Sequence, residues 1–345
     1  MYDPPMRVGR RAAGGSALAL AFAVAFAACV GSDPDAVTGA SDASLDRASV
    51  VEGGASDGGA SDGSPGDPSG GPCTSDMPFK EYVPMGAPIN TGVSPEYLVR
   101  LDPSEQHLYL GRALEVQRYD RDAAANAWVA GPVVLSPTAQ QQFGAPWIGA
   151  SGSPLWYTRK VGDATPYELA VADVDAGTGA LANPRPVRGI TGAAPISNVD
   201  GYLSPDQSEL WFATANGDLA ATPFNIVHAV ADGTDAGFGD VKVPAGDTIN
   251  TAVNERFPVI SADGLTLYFA SETERKLANY GIRMATRPSK TEGFGPSRVP
   301  AGLEPLQDFS RGFQAMPAWI SPDNCRLYVG TTINGQSDIY IARRR

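Results

Sequence analysis

The sequence predicts an all-β fold: a β-propeller of five four-stranded blades, closed by an N-terminal strand that joins the last blade. Three observations predict it. Short runs of β-branched and aromatic residues alternate with Asp, Gly and Pro, the pattern of strands joined by tight turns. One such arrangement, Phe257 to Arg287 (FPVISADGLTLYFASETERKLANYGIRMATR), recurs at intervals suited to one blade each. The last copy also stops short of a fourth strand, and its counterpart stands at the opposite end of the chain.

The chain has 345 residues and a formal net charge of −12. That length is ample for a buried core. An acidic balance with no basic face argues against nucleic acid as a partner, because phosphate neutralisation needs one. Arg7, Arg10 and Arg11 precede an apolar run, Ser16 to Ala28 (SALALAFAVAFAA). The run is shorter than the roughly 20 residues a membrane-spanning helix needs, and residues 1–28 read as an export signal. The run closes on Phe26-Ala27-Ala28-Cys29, which resembles a bacterial lipobox with Phe26 where Leu is usual. The resemblance implies that Cys29 is lipidated and becomes the new N-terminus. The other reading is an ordinary cleaved signal peptide.

Residues 29–72 end in GGASDGGASDGSPGDPSGGP. Such a segment buries too little apolar area to offset the entropy of ordering, so it reads as a disordered tether. Its random-coil reach is roughly 35 Å. The expected location is the cell envelope, lipid-anchored in a membrane and facing the periplasm or the outside.

The folded part, residues 73–345, contains five units. They begin LDPSEQHLYLG (Leu101–Gly111), WIGASGSPLWYT (Trp147–Thr158), YLSPDQSELWFAT (Tyr202–Thr214), VISADGLTLYFAS and WISPDNCRLYVGT. Further strands follow in each, for example VQRYDRD and NAWVAGPVVL in the first and GDLAATP in the third. Ser or Asp followed by Pro and then Asp or Gly suits a tight hairpin between two inner strands. Units three to five carry Ser204-Pro205-Asp206, Ser261 with Asp263-Gly264, and Ser321-Pro322-Asp323. With Ser337-Asp338-Ile339-Tyr340 in the last unit, these motifs resemble the P-D variety of WD-like repeat found in the TolB-like propellers of bacterial envelopes. Propellers of that family usually have six blades. A sixth here would have to come from the long gaps around unit two or three.

Phe79 to Thr91 (FKEYVPMGAPINT) matches FGDVKVPAGDTINT and FGPSRVPAGLEPLQ, which follow units three and four. The N-terminal segment is thus expected to supply the outer strand of the last blade. Cys73 precedes that strand and Cys325 follows the inner hairpin turn of the same blade, so a disulfide between them is expected in an oxidising compartment.

Chemistry is less legible. His107 and His228 lie in different units without a ligand cluster, so no metal and no cofactor are expected. Asp173 to Gly179 faintly resembles a calcium loop without its closing Glu and reads as a turn. The residues entering each innermost strand should line the mouth of the central channel. At one shared position they are Glu96, Asn198 and Glu255, with Arg256 and Arg311 nearby. These are the candidate binding residues. Two functions remain open. One is a monomeric, non-catalytic scaffold for an unknown protein, peptidoglycan or glycan partner. The other is a propeller-fold glycosidase or lyase that uses carboxylates at the channel mouth.

Overall fold

A computed structural model describes residues 71–92, 96–112, 115–135, 141–148, 153–161, 166–175, 178–190, 196–216, 222–233, 237–239, 241–244, 248–272, 280–307, 314–333 and 336–344. The export signal, Cys29, residues 30–70 of the tether and Arg311 lie outside the described residues.

Among the described residues, eighteen strands form five antiparallel sheets, one per blade. β1 (Glu81–Pro84) comes first and belongs to the last blade. Blade I contains β2 (Glu96–Leu101), β3 (His107–Arg112), β4 (Glu115–Asp122) and β5 (Ala127–Leu135). Blade II contains β6 (Gln141–Ile148), β7 (Leu155–Val161), β8 (Glu168–Val174) and β9 (Leu181–Pro186). Blade III contains β10 (Ile196–Leu203), β11 (Glu209–Asn216) and β12 (Asn225–Val230). Its outer segment is attached by single bridges, Ala231 to Phe238 and His228 to Lys242. Blade IV contains β13 (Glu255–Ile260), β14 (Thr266–Glu272) and β15 (Tyr280–Thr286), with a bridge from Met284 to Arg298. Blade V contains β16 (Gln314–Ile320), β17 (Arg326–Ile333) and β18 (Gln336–Arg343), with β1 outermost. One expectation is corrected. The third strand of blade III is NIVHAV, which pairs with β11 from Glu209 opposite Val230 to Thr214 opposite Asn225; residues 217–221 of the expected GDLAATP run lie outside the described residues.

The repeated turn is a hydrogen-bonded unit. In blade IV, Ser261 Oγ donates to Asp263 at 2.5 Å and accepts from Thr266 N, while the same Asp263 oxygen accepts from Leu265 N. Ser204 with Asp206 and Ser321 with Asp323 repeat the pattern. Blade I inverts it. There Asp102 stands in the serine's place and accepts from Gln106 N and His107 N, and Ser104 donates to Asp102. The residue types exchange positions but the unit survives, which is why the two spellings mark the same turn. Asp175, in the calcium-like stretch, likewise accepts from the backbone N and the hydroxyl of Thr178, as a turn residue does.

Closure of the ring depends on the N-terminal segment. β1 pairs antiparallel with β18 from Glu81 opposite Arg343 to Pro84 opposite Tyr340. Cys73 and Cys325 form a disulfide with Cα atoms 5.1 Å apart, and Cys73 N donates to Asp323 O. Arg344 adds a clasp. Its buried guanidinium lies over Phe79, donates to the backbone oxygens of Ser75 and Met77, and donates to Tyr268 Oη of blade IV. Gly302 (φ 87°) permits the close approach of Phe79, since a Cβ there would lie 2.0 Å from Phe79 O. Gly189 meets Phe238 of the next blade in the same way.

The disulfide closes a loop of 252 residues. The chain-entropy picture puts its contribution at about 5.5 kcal/mol as an upper figure. Reductant should lower the thermal midpoint of the wild type and leave a Cys73→Ser/Cys325→Ser double variant unchanged. Equal wild-type midpoints with and without reductant would remove the disulfide from the account of closure.

Candidate functional site

The first candidate region is the start of the innermost strands. Glu96, Asn198 and Glu255 occupy one register position, opposite Arg112, Thr214 and Ser271 of the second strands. All three side chains are buried, Glu96 and Glu255 completely. Glu96 Oε1 accepts from Thr91 Oγ1 at 2.8 Å. Glu255 accepts from Thr251 Oγ1 at 2.6 Å, from Thr251 N at 3.1 Å and from Ser271 Oγ at 3.4 Å. Asn198 donates to Ile190 O at 3.2 Å. Burial pushes the Glu255 carboxyl above the usual carboxylate range, against the opposing bonds from Thr251 and Ser271.

Both threonines end an Ile-Asn-Thr linker between blades. The asparagines of these linkers grip the third strand of the preceding blade. Asn90 exchanges two hydrogen bonds with the backbone of Ile339, and Asn250 does the same with Ile226. Gln307 accepts from Ile282 N at the corresponding place in blade IV. Glu96 and Glu255 therefore complete a device that ties each incoming innermost strand to the blade before it.

Arg256 is held as firmly. Its Nε and Nη2 donate to the two carboxylate oxygens of Asp200 at 2.6 and 3.0 Å, across from blade IV to blade III. The guanidinium also lies over the rings of Phe257 and Phe224, at 4.6 and 5.0 Å. Asp200 has φ 57° and sits in the irregularity between Val199 and Tyr202. All five innermost strands carry such a register shift.

The opposite end of the channel, beside the turns, holds a recess that the sequence reasoning missed. Its wall includes Arg100, Trp147, Tyr202 and Trp319, and its rim includes Pro103 and Pro322. These four wall residues come from blades I, II, III and V at one register position, each opposite an aromatic residue of the second strand. The remaining blade, IV, places Val259 there. Trp147 presses against the backbone of Gly201, where a Cβ would meet the indole at 2.1 Å. The free volume is about 30 Å³, room for one or two waters or a single small polar head. The sequence signal was available: the residue two before each turn's first residue reads Arg, Trp, Tyr, Val and Trp, so it varies where the turn does not.

Among the described residues, no group of three or more His, Cys, Asp and Glu side chains is placed to hold a metal ion. His107 pairs with Asp120, and His228 stacks on Trp211 with ring centroids 4.6 Å apart.

No protein-family profile matches the chain, and neither does any curated protein sequence. Solved structures resemble it in fold. A glycoside hydrolase is 12% identical over 78% of this chain and 92% of its own, with a TM-score of 0.51. A thermostable family-43 glycoside hydrolase is 15% identical over 75% and 92%, with a TM-score of 0.50. TolB from Acinetobacter baumannii is 13% identical over 76% of this chain, with a TM-score of 0.43, and this chain spans 62% of that protein's length. The likeness at these identities is one of architecture.

Two outcomes follow from the geometry. Arg256→Ala should cost about 3 kcal/mol in chemical unfolding, because it leaves the Asp200 carboxylate buried without its partner; a loss below about 1 kcal/mol would show the pair to be dispensable. The second concerns pH. Folding raises the proton affinity of Glu255, so that group's contribution is complete below the ordinary carboxylate range and fades as pH climbs through its raised midpoint. Over that window the wild type should lose stability relative to Glu255→Gln. A flat or opposite difference would contradict the raised midpoint.

Proposed function

We propose that the chain is a lipid-anchored envelope protein whose five-bladed propeller is a non-catalytic binding scaffold. The observation that carries this reading is the employment of the channel-mouth carboxylates. A glycosidase needs two carboxyl groups facing a substrate, about 5–10 Å apart, one to give a proton and one to attack or activate water. Glu96 and Glu255 are instead fully buried and bonded to Thr91 and Thr251. Removing either carboxylate would loosen a blade junction. The export signal, Cys29 and the Gly/Ser/Asp/Pro tether support the anchored placement, with the head held off a membrane surface to meet a protein, peptidoglycan or glycan partner.

One observation favours the alternative of a carbohydrate-active enzyme. Burial raises the affinity of Glu255 for its proton, as a general acid requires. A single experiment separates the two readings: the mature protein is incubated with a panel of bacterial and plant polysaccharides and peptidoglycan, and both retention and product are followed. Retention without new reducing ends or unsaturated products is expected. Product formation that disappears in Glu255→Gln would replace the scaffold with the enzyme. For the anchor, labelling of cells with a palmitate analogue should mark the wild type, and Cys29→Ser should remain unlabelled. A labelled Cys29→Ser protein would move the modification elsewhere.

A further inference from the structure

Arg100 is a buried arginine with no ion-pair partner among the described residues. It projects from β2 of blade I, is 1% exposed, and lies over the ring of Tyr202 in blade III at 5.1 Å. Its only hydrogen bond among those described is a long one, 3.4 Å, from Nη1 to its neighbour's carbonyl, Val99 O. Nε and Nη2 have no hydrogen-bond partner. These two nitrogens form one edge of the guanidinium, the edge that holds a carboxylate or phosphate through two parallel bonds.

The same molecule shows what that edge accepts. The equivalent edge of Arg256 is filled by the carboxylate of Asp200. Asp200 also exerts a Coulombic pull on Arg100, but both of its oxygens are engaged by Arg256. The two arginines and one aspartate at the channel therefore carry a net +1 in a chain of formal charge −12. Burial lowers the Arg100 pKa to about 10, which leaves it charged at neutral pH. An uncompensated buried cation is costly unless a counter-charge serves something.

We propose that the recess beside the turns is a binding site for the carboxylate head of an organic ligand, received by the Nε/Nη2 edge of Arg100. The small volume admits the head alone. The ligand's apolar flank would then rest outside, on Trp319 and the rim prolines Pro103 and Pro322. The ligand is thus a monocarboxylate with an apolar neighbour group, either a free acid or the C-terminus of a peptide. Both nitrogens lie below the surface, so a rim side chain must give way for the head to reach them; Gln207 borders the recess and is exposed. The inference rests on the scaffold reading for its meaning but not for its test.

The test uses the mature full-length protein and follows tryptophan fluorescence, since Trp147 and Trp319 line the recess. Benzoate is compared with benzamide, and the tripeptide Gly-Gly-Phe is compared as acid and as C-terminal amide. The acids should bind at least tenfold more tightly than their neutral counterparts. Arg100→Met should abolish that preference without lowering the thermal midpoint, because it removes a charge that the fold leaves uncompensated. Equal binding of acid and amide, an unchanged preference in Arg100→Met, or unfolding of that variant would each overturn the proposal. Preference for benzoate alone points to free acids, and preference for the peptide acid points to chain termini. Polysaccharide cleavage dependent on Glu255 would sink the scaffold reading while leaving this site standing.

Discussion

A ring of sheets holds only if its first and last members are one sheet. Everything else in this propeller depends on that closure. Each blade buries both faces against neighbours, so a ring open at one junction would expose two apolar faces and a free strand edge. The junction is made three ways within a short stretch: a strand ladder between β1 and β18, a disulfide between Cys73 and Cys325, and the Arg344 guanidinium. Arg326 of blade V adds a bidentate bond to Glu105 of blade I at 2.7 Å, tying the closed blade to its next neighbour on the turn side.

The other junctions use smaller, repeated devices. Asparagine or glutamine in the linker takes the backbone of the preceding third strand, a following threonine takes a buried glutamate of the next innermost strand, and a glycine lets the next outer segment approach. Ion pairs cross between blades III and IV, where Arg287 meets Glu209 and Lys290 meets Asp206. The buried arginine in the first of these also lies over Trp211 and Phe294. Conspicuous polar residues are thus used mainly on assembly, and the charged groups at the starts of the innermost strands belong to that class.

Much of the fold was legible because its devices are local. A serine two residues before an aspartate, followed by an apolar run, carries its own hydrogen bonds and can be read without knowing the neighbours. The match of FKEYVPMGAPINT to two later segments was legible for the same reason. What the sequence concealed is contact between unlike positions of different blades. Asp200 and Arg256 are 56 residues apart, and their pairing depends on a backbone irregularity that no residue pattern announces. Arg344 stands in a run of three arginines, and nothing in that run announces a buried clasp onto blade IV. The third strand of blade III was misplaced because the weak run GDLAATP follows directly on β11. Glu96 and Glu255 begin their strands, yet nothing in their spacing revealed that the linker threonines would cover them. Arg100 lies near the finish of its strand, where the residue type varies from blade to blade and no shared motif marks it.

The placement of the disulfide has a mechanical consequence. A pull on the chain upstream of Cys73 passes through the sulfur bridge into the inner hairpin of blade V, at Cys325, before it can reach β1. The load is borne by a covalent link and by a turn anchored through Ser321 and Asp323, while the β1–β18 ladder lies beyond the link and stays slack. A strand held only by its hydrogen bonds would peel one pair at a time. Here the same strand is shielded from tension applied at its own end of the chain.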